Sequence, residues 1–188
     1  TGSEGDTYLL PFDAEIAAHD GASSPSSPVA TPVPVLKSAF YEGHAQVSPD
    51  GKWIAYMAPA TGEPEIYVRP FPAGAGAWQV STAGGVTPRW RADGSELFYV
   101  SSYDNGQLMV VPVRVNGGEF VPGTPQRLFG MGLITPPHST TINVYHTYDV
   151  APDGQRFLIP RPVSMLRGDA SPTPITVVLN WTAMLGGR

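Results

Sequence analysis

Three times in this chain an Asp-Gly pair stands between two apolar runs, and that recurrence constrains the fold more than any other feature. The first copy is Gln46-Val47-Ser48-Pro49-Asp50-Gly51-Lys52-Trp53-Ile54-Ala55-Tyr56. The second is Pro88-Arg89-Trp90-Arg91-Ala92-Asp93-Gly94-Ser95-Glu96-Leu97-Phe98-Tyr99. The third is Tyr148-Asp149-Val150-Ala151-Pro152-Asp153-Gly154-Gln155-Arg156-Phe157-Leu158-Ile159. Asp-Gly flanked by strand-forming residues is the strongest short-range signal for a β-hairpin. The turn expected there needs positive φ, which Gly adopts freely and Asp tolerates.

Spacing turns the hairpins into an architecture. The first two aspartates are 43 residues apart and the next two 60. Three further runs share a strand with a proline near its end: Asp6 to Phe12, Glu65 to Phe71, and Gln107 to Val113. Their prolines, Pro11, Pro70 and Pro112, are separated by 59 and 42 residues. A repeat of roughly 40–45 residues built from four strands is the period of a propeller blade. A proline within such a strand places its missing N–H at a bulge or a free edge.

Each long interval exceeds its short counterpart by 17 residues. In the first, residues 13–33 include the Ser/Pro-rich stretch Asp20 to Pro28, which has little to bury and reads as an insertion between two strands. In the second, residues 130–145 carry Thr135-Pro136-Pro137-His138-Ser139-Thr140-Thr141 and read as a long loop. Pro34 to Lys37 and Trp78 to Ser81 are outer strands, Phe40 to His44 leads into the first hairpin, and Ile175 to Trp181 is the most strand-like run of all. The expected order is two outer strands, two complete four-stranded blades, then three more strands. The fold class is therefore all-β: a partial β-propeller of antiparallel blades over a single segment, 1–188, with about three blades' worth of strands.

Composition agrees with a turn-rich β protein. Gly and Pro number 21 each and fall as punctuation between apolar runs. The net charge of −5 and the lack of any Lys/Arg block argue against a nucleic-acid partner. With no cysteine, thiol catalysis and thiolate metal sites are excluded. No run of about 18 apolar residues exists, so no spanning helix is expected. Opening at Thr1 without a signal-peptide pattern, the chain reads as a processed or excised piece.

The phrase Ser48 to Tyr56 and the repeat period resemble TolB-type propeller repeats, a WD-like family, over nearly all of the chain outside the two insertions. Four wider phrases, Phe40 to Gly51, Tyr67 to Pro72, Trp78 to Ser81 and Ile175 to Trp181, resemble the C-terminal part of long bacterial proteins. In those, such a propeller often follows a serine/threonine kinase domain and a membrane helix. The resemblance implies a closed ring of six or more blades, against about three here. Uncovered sheet edges are aggregation hazards, so self-assembly or completion by further blades is expected.

Candidate chemistry is sparse. There is no Gly-x-Ser-x-Gly nucleophile elbow, so hydrolysis of the prolyl-oligopeptidase type is not expected of this chain. His138 and His146 flank a β-like run and have the residue type of metal ligands. His19 and His44, like them, read more simply as solvated or hydrogen-bonded residues, and no metal or cofactor is expected. Asp50, Asp93 and Asp153 are explained by turn geometry rather than calcium binding. Trp53, Trp78, Trp90 and Trp181 offer a stacking surface for a ligand, but blade-to-blade packing accounts for Trp53 and Trp90 better. Arg69, Arg89 and Arg91 are expected to line a binding face or to pair with acids. Asn180-Trp181-Thr182 matches a glycosylation sequon inside a strand-like run and is discounted.

The expected function is a non-catalytic module for binding or scaffolding a protein or ligand, extracytoplasmic and part of a larger bacterial protein. Binding would use the loops on one face and the two insertions. One alternative is a structural protein whose open blade edges pair between chains into a ring or filament. Another is an accessory propeller of a hydrolase.

Overall fold

The computed structural model describes residues 7–9, 31–38, 40–60, 62–101, 106–131 and 148–159, and the backbone of 176–178. Among them no helix occurs and every element is a strand. β1 (Thr7–Leu9) and β2 (Val33–Leu36) form a two-stranded antiparallel sheet. β3 (Gly43–Val47), β4 (Trp53–Ala58), β5 (Glu65–Pro70) and β6 (Trp78–Gln79) form a four-stranded meander. β7 (Val86–Trp90), β8 (Glu96–Ser101), β9 (Gln107–Asn116), β10 (Glu119–Pro122) and β11 (Gln126–Gly130) make the third sheet. β12 (Asp149–Val150), β13 (Phe157–Ile159) and β14 (Thr176–Val178) make the fourth. The chain is an all-β, partial β-propeller, with the expected succession of outer pair, two full blades and three strands.

The third sheet is more elaborate than expected. β9 continues past Val113, and Asn116 faces Glu119 across a two-residue tip, Gly117-Gly118, with φ of 57° and 86°. β10 pairs with the far half of β9 and β11 with its near half. Tyr67 faces Gln79, twelve residues on, whereas the corresponding Met109 faces Arg127, eighteen residues on. Six of the surplus residues of the second long interval therefore sit in this extension. Gly130, where the long loop was expected to begin, is the last residue of β11; residues 132–147 lie outside the described set.

Pro70 and Pro112 fall where the ladder lets them, and Pro11 lies outside the described residues. Phe71 N–H donates to Lys52 on the β4 side (2.8 Å), so the missing N–H of Pro70 faces the other way, beyond the end of two-residue β6. Val113 N–H likewise donates to Ser95 on the β8 side (2.8 Å). Pro112 therefore faces the gap where β10 ends and β11 begins, and Gly123 N–H donates to its carbonyl (2.7 Å). No ladder bond is lost at either site.

The three Asp-Gly turns share one geometry, and it differs from the expectation that Asp as well as Gly takes positive φ. Each is a four-residue loop closed by Ser48 N–H to Trp53 O, Arg91 N–H to Glu96 O, or Ala151 N–H to Arg156 O (2.8–2.9 Å). Inside it, the N–H of Gly51, Gly94 or Gly154 donates back three residues. Only the glycines have positive φ (71°, 73° and 67°); the aspartates do not. Asp serves instead through its side chain, accepting the N–H of Lys52 (3.2 Å), Ser95 (3.0 Å) or Gln155 (2.9 Å) two residues on.

The main core lies between the second, third and fourth sheets and includes Met57, Ile66, Val68, Leu97, Phe98, Leu108, Val111 and Phe157. A smaller one, Val35, Leu36, Ile54, Tyr56 and Ala58, joins the first sheet to the second. β7 lies against β3, β4 and β5 on one side and β12 on the other, so the first strand of each blade is its innermost contact.

Candidate interaction face and the joints beneath it

The turns come together on one face. Gly94 of the second turn lies against Pro49 of the first: a Cβ there would stand 3.9 Å from the proline Cδ. Gly154 of the third lies against Arg91 of the second, where a Cβ would stand 2.9 Å from the arginine Cδ. Pro49, Asp50, Lys52, Asp93, Asp153 and Arg156 are exposed on this face. Arg91 links its own turn by ion pairs to Asp93 (3.3 Å) and Glu96 (3.2 Å), and Arg156 pairs with Asp153 (3.0 Å).

All three turn carboxyls are held below the usual carboxylate value. For Asp50 the main cause is the hydroxyl of Ser48, which donates to it at 2.6 Å, and for Asp93 the hydroxyl of Ser95, also at 2.6 Å. For Asp153 it is the backbone N–H of Gln155. Hydrogen bonds to the ionised form favour it. The aspartates are thus turn residues, as expected. Among the described residues no group of three or more His, Asp or Glu is placed to hold a metal ion.

The three described tryptophans, Trp53, Trp78 and Trp90, pack a joint rather than lining a groove. Trp53 meets Trp78 edge-on (5.5 Å between ring centroids), and Phe120 of β10 sits among Trp53 (5.3 Å), Trp78 (5.7 Å) and Trp90 (6.3 Å). Trp90 is also tied across the joint, its N–H to the Gln46 side chain (2.8 Å) and its Nε1 to the Gln46 carbonyl (3.0 Å). Phe120 was not anticipated, although Asn-Gly-Gly-Glu ahead of it carries a two-residue hairpin signal.

The opposite end of the same joint is polar. Glu65 is buried at the start of β5; its carboxylate accepts from the Ser81 hydroxyl and from Gly84 N–H (3.1 Å). The Ser81 oxygen in turn accepts Ile66 N–H (2.8 Å), and Gly85 N–H donates to Pro64 O (2.7 Å). This clamp shapes the crossing from β6 to β7. Ser101 donates to Ala83 O (3.2 Å) from the neighbouring sheet. Tyr99 is pushed up to about 12, chiefly by burial and then by the Glu65 charge. Buried Tyr148, which donates to Thr87 O (3.0 Å), is raised further by burial.

At this end both first strands bulge. The register slips between Gly43 and Gln46 and between Val86 and Arg89. His44 and Thr87, 43 residues apart like the turns, have φ of 54° and 51°. Positive φ is uncommon outside glycine and, for a β-branched residue, a true outlier. His44 is therefore part of a strained bulge.

Arg91 pairs with acids as expected, whereas Arg69 donates to Gly74 O (2.9 Å) and buried Arg89 to Pro88 O (2.8 Å). His19, His138, His146, Asn180, Trp181 and Thr182 lie outside the described residues.

No family model matches the chain, and no curated protein matches it. Solved structures similar to it include the following two. One is a candidate 6-phosphogluconolactonase from Bacteroides uniformis, 17% identical, with a TM-score of 0.44 over 73% of this chain and 38% of that one. The other is TolB from Acinetobacter baumannii, 17% identical, with a TM-score of 0.41 over 81% of this chain and 44% of that one. The chain spans less than half the length of either, and its propeller-type architecture stands on the sheets themselves.

Proposed function

We propose that this chain is a non-catalytic propeller segment that binds a protein or other ligand, as the extracytoplasmic part of a larger bacterial protein. The observation that carries this reading is the row of three equivalent turns. It repeats one exposed polar surface three times, while Asp50, Asp93, Asp153, Arg91 and the three packed tryptophans are engaged in holding the fold. Loops fixed on a rigid scaffold are the usual place for recognition.

The test is capture from a bacterial envelope extract by the immobilised chain, followed by direct titration of what is captured. Binding should be saturable and should fall when Lys52→Glu and Arg156→Glu are combined, with circular dichroism unchanged. No turnover of 6-phosphogluconolactone or of simple esters and peptides is expected. Turnover without any captured partner overturns the reading.

A further inference from the structure

An Asp or Asn side chain can cyclise onto the backbone nitrogen of the next residue. The reaction is easiest before glycine, which has no side chain to obstruct the approach. Asp50-Gly51, Asp93-Gly94, Asn116-Gly117 and Asp153-Gly154 are described pairs of this kind, whereas Asp20 and Asn105, which also precede glycines, lie outside the described residues. The three Asp-Gly pairs are locked against cyclisation. The nitrogen that would attack, of Gly51, Gly94 or Gly154, already donates its N–H three residues back, at 2.9, 2.9 and 2.8 Å. The carboxyl it would attack is held as well, by Ser48 and Lys52, by the hydroxyl and N–H of Ser95, or by Gln155 and Arg156. Each of these carboxyls is also kept ionised to a lower pH than usual, and a carboxylate is a poor target for a nucleophile.

The fourth pair has none of these restraints. Asn116 is the last residue of β9 and is exposed, and among the described residues neither its side chain nor the N–H of Gly117 makes a hydrogen bond. A Cβ on Gly117 would meet nothing within 4 Å, so the approach is open. Extended backbone turns that nitrogen away from the side-chain carbonyl, so the ladder must open before the two can meet. Ladder ends open at the least cost. We infer that Asn116 is a site of spontaneous covalent modification, where the hairpin tip passes from a neutral amide to a carboxylate. The Gly117 nitrogen bonds to Asn116 Cγ as the Cγ–Nδ2 bond breaks, and the amide nitrogen leaves as ammonia with the proton that Gly117 gives up. Water then opens the cyclic imide at either carbonyl, leaving aspartate or its β-linked isomer. The new carboxylate faces Glu119 across the ladder, which sets like charges opposite each other at the tip.

The experiment ages the full chain in mildly alkaline buffer and maps its peptides by mass spectrometry, with isoaspartate scored by a carboxyl methyltransferase specific for it. Conversion at Asn116 is expected to outrun isomerisation at Asp50, Asp93 and Asp153. An Asp93→Asn variant separates geometry from leaving group, because it places the same amide in a locked turn, and Asp153→Asn repeats the comparison in the third turn. Circular dichroism verifies both folds. The substituted turn position should react about tenfold more slowly than Asn116, the worth of one hydrogen bond expressed as a rate. In urea that gap should close. Equal rates in the folded chain, or a gap that persists in urea, overturn the inference, as does an Asn116 that stays unconverted while any of the three aspartates isomerises.

Discussion

The joint between the second and third sheets is made in two different ways at its two ends. At the turn end it is aromatic: Trp53, Trp78, Trp90 and Phe120 interlock, with Gln46 as a polar tie. At the bulge end it is polar: Glu65, Ser81, Gly84 and Ser101 hold the crossing strand by hydrogen bonds, beside Tyr99 and Tyr148. Apolar packing tolerates small shifts, whereas a buried carboxylate is stable only when its donors are in place. The aromatic end supplies area and the polar end fixes position.

Substitutions can break this division in order of size. Phe120→Ala should cost about 3–5 kcal/mol in urea unfolding, since it empties a site 1% exposed among three indoles. A loss below about 1 kcal/mol would mean that β10 contributes little to the joint. Glu65→Ala should cost about 2–3 kcal/mol by stranding the Ser81 hydroxyl and Gly84 N–H, and Glu65→Gln clearly less, because an acceptor remains. Equal losses would show that charge, not acceptance, matters there. Gly154→Ala should exceed Gly51→Ala: both pay the left-handed penalty of about 1–2 kcal/mol, but only the first pushes on Arg91.

The two ends should also differ in pH response. Tyr99 is raised from 10.0 to about 12 in the folded chain, so its contribution is complete below pH 10 and fades as pH rises toward 12. Tyr99→Phe should flatten alkaline unfolding in that window. The turn aspartates lie below 3.8 when folded, so their smaller contribution is present above that value and is lost as pH falls through the lowered pKa. Asp93→Asn should soften acid unfolding there and leave the alkaline limb unchanged.

The turn end was legible because its signals are local. Asp-Gly, the 43-residue interval and the proline positions are read along a few residues, and they led to the right sheets. Even so, the aspartate's part was misjudged: it works through its carboxylate, and glycine alone takes the unusual backbone. The bulge end was opaque because its partners are remote. Glu65 and Ser81 are 16 residues apart and Tyr148 and Thr87 61, and nothing in either neighbourhood announces the other. His44 and Thr87 look like ordinary strand residues, since the strain that sets them apart comes from pairing register. Phe120 was missed for a plainer reason: the Gly-Gly tip before it was a readable signal.

That tip has a practical meaning for anyone who wishes to cut or lengthen the chain. Gly117 and Gly118 are exposed, have nothing within 4 Å of where side chains would begin, and stand at the end of a ladder whose load is carried by Phe120 behind them. New termini, a label or a whole inserted domain placed between them would leave both the aromatic cluster and the buried clamp untouched.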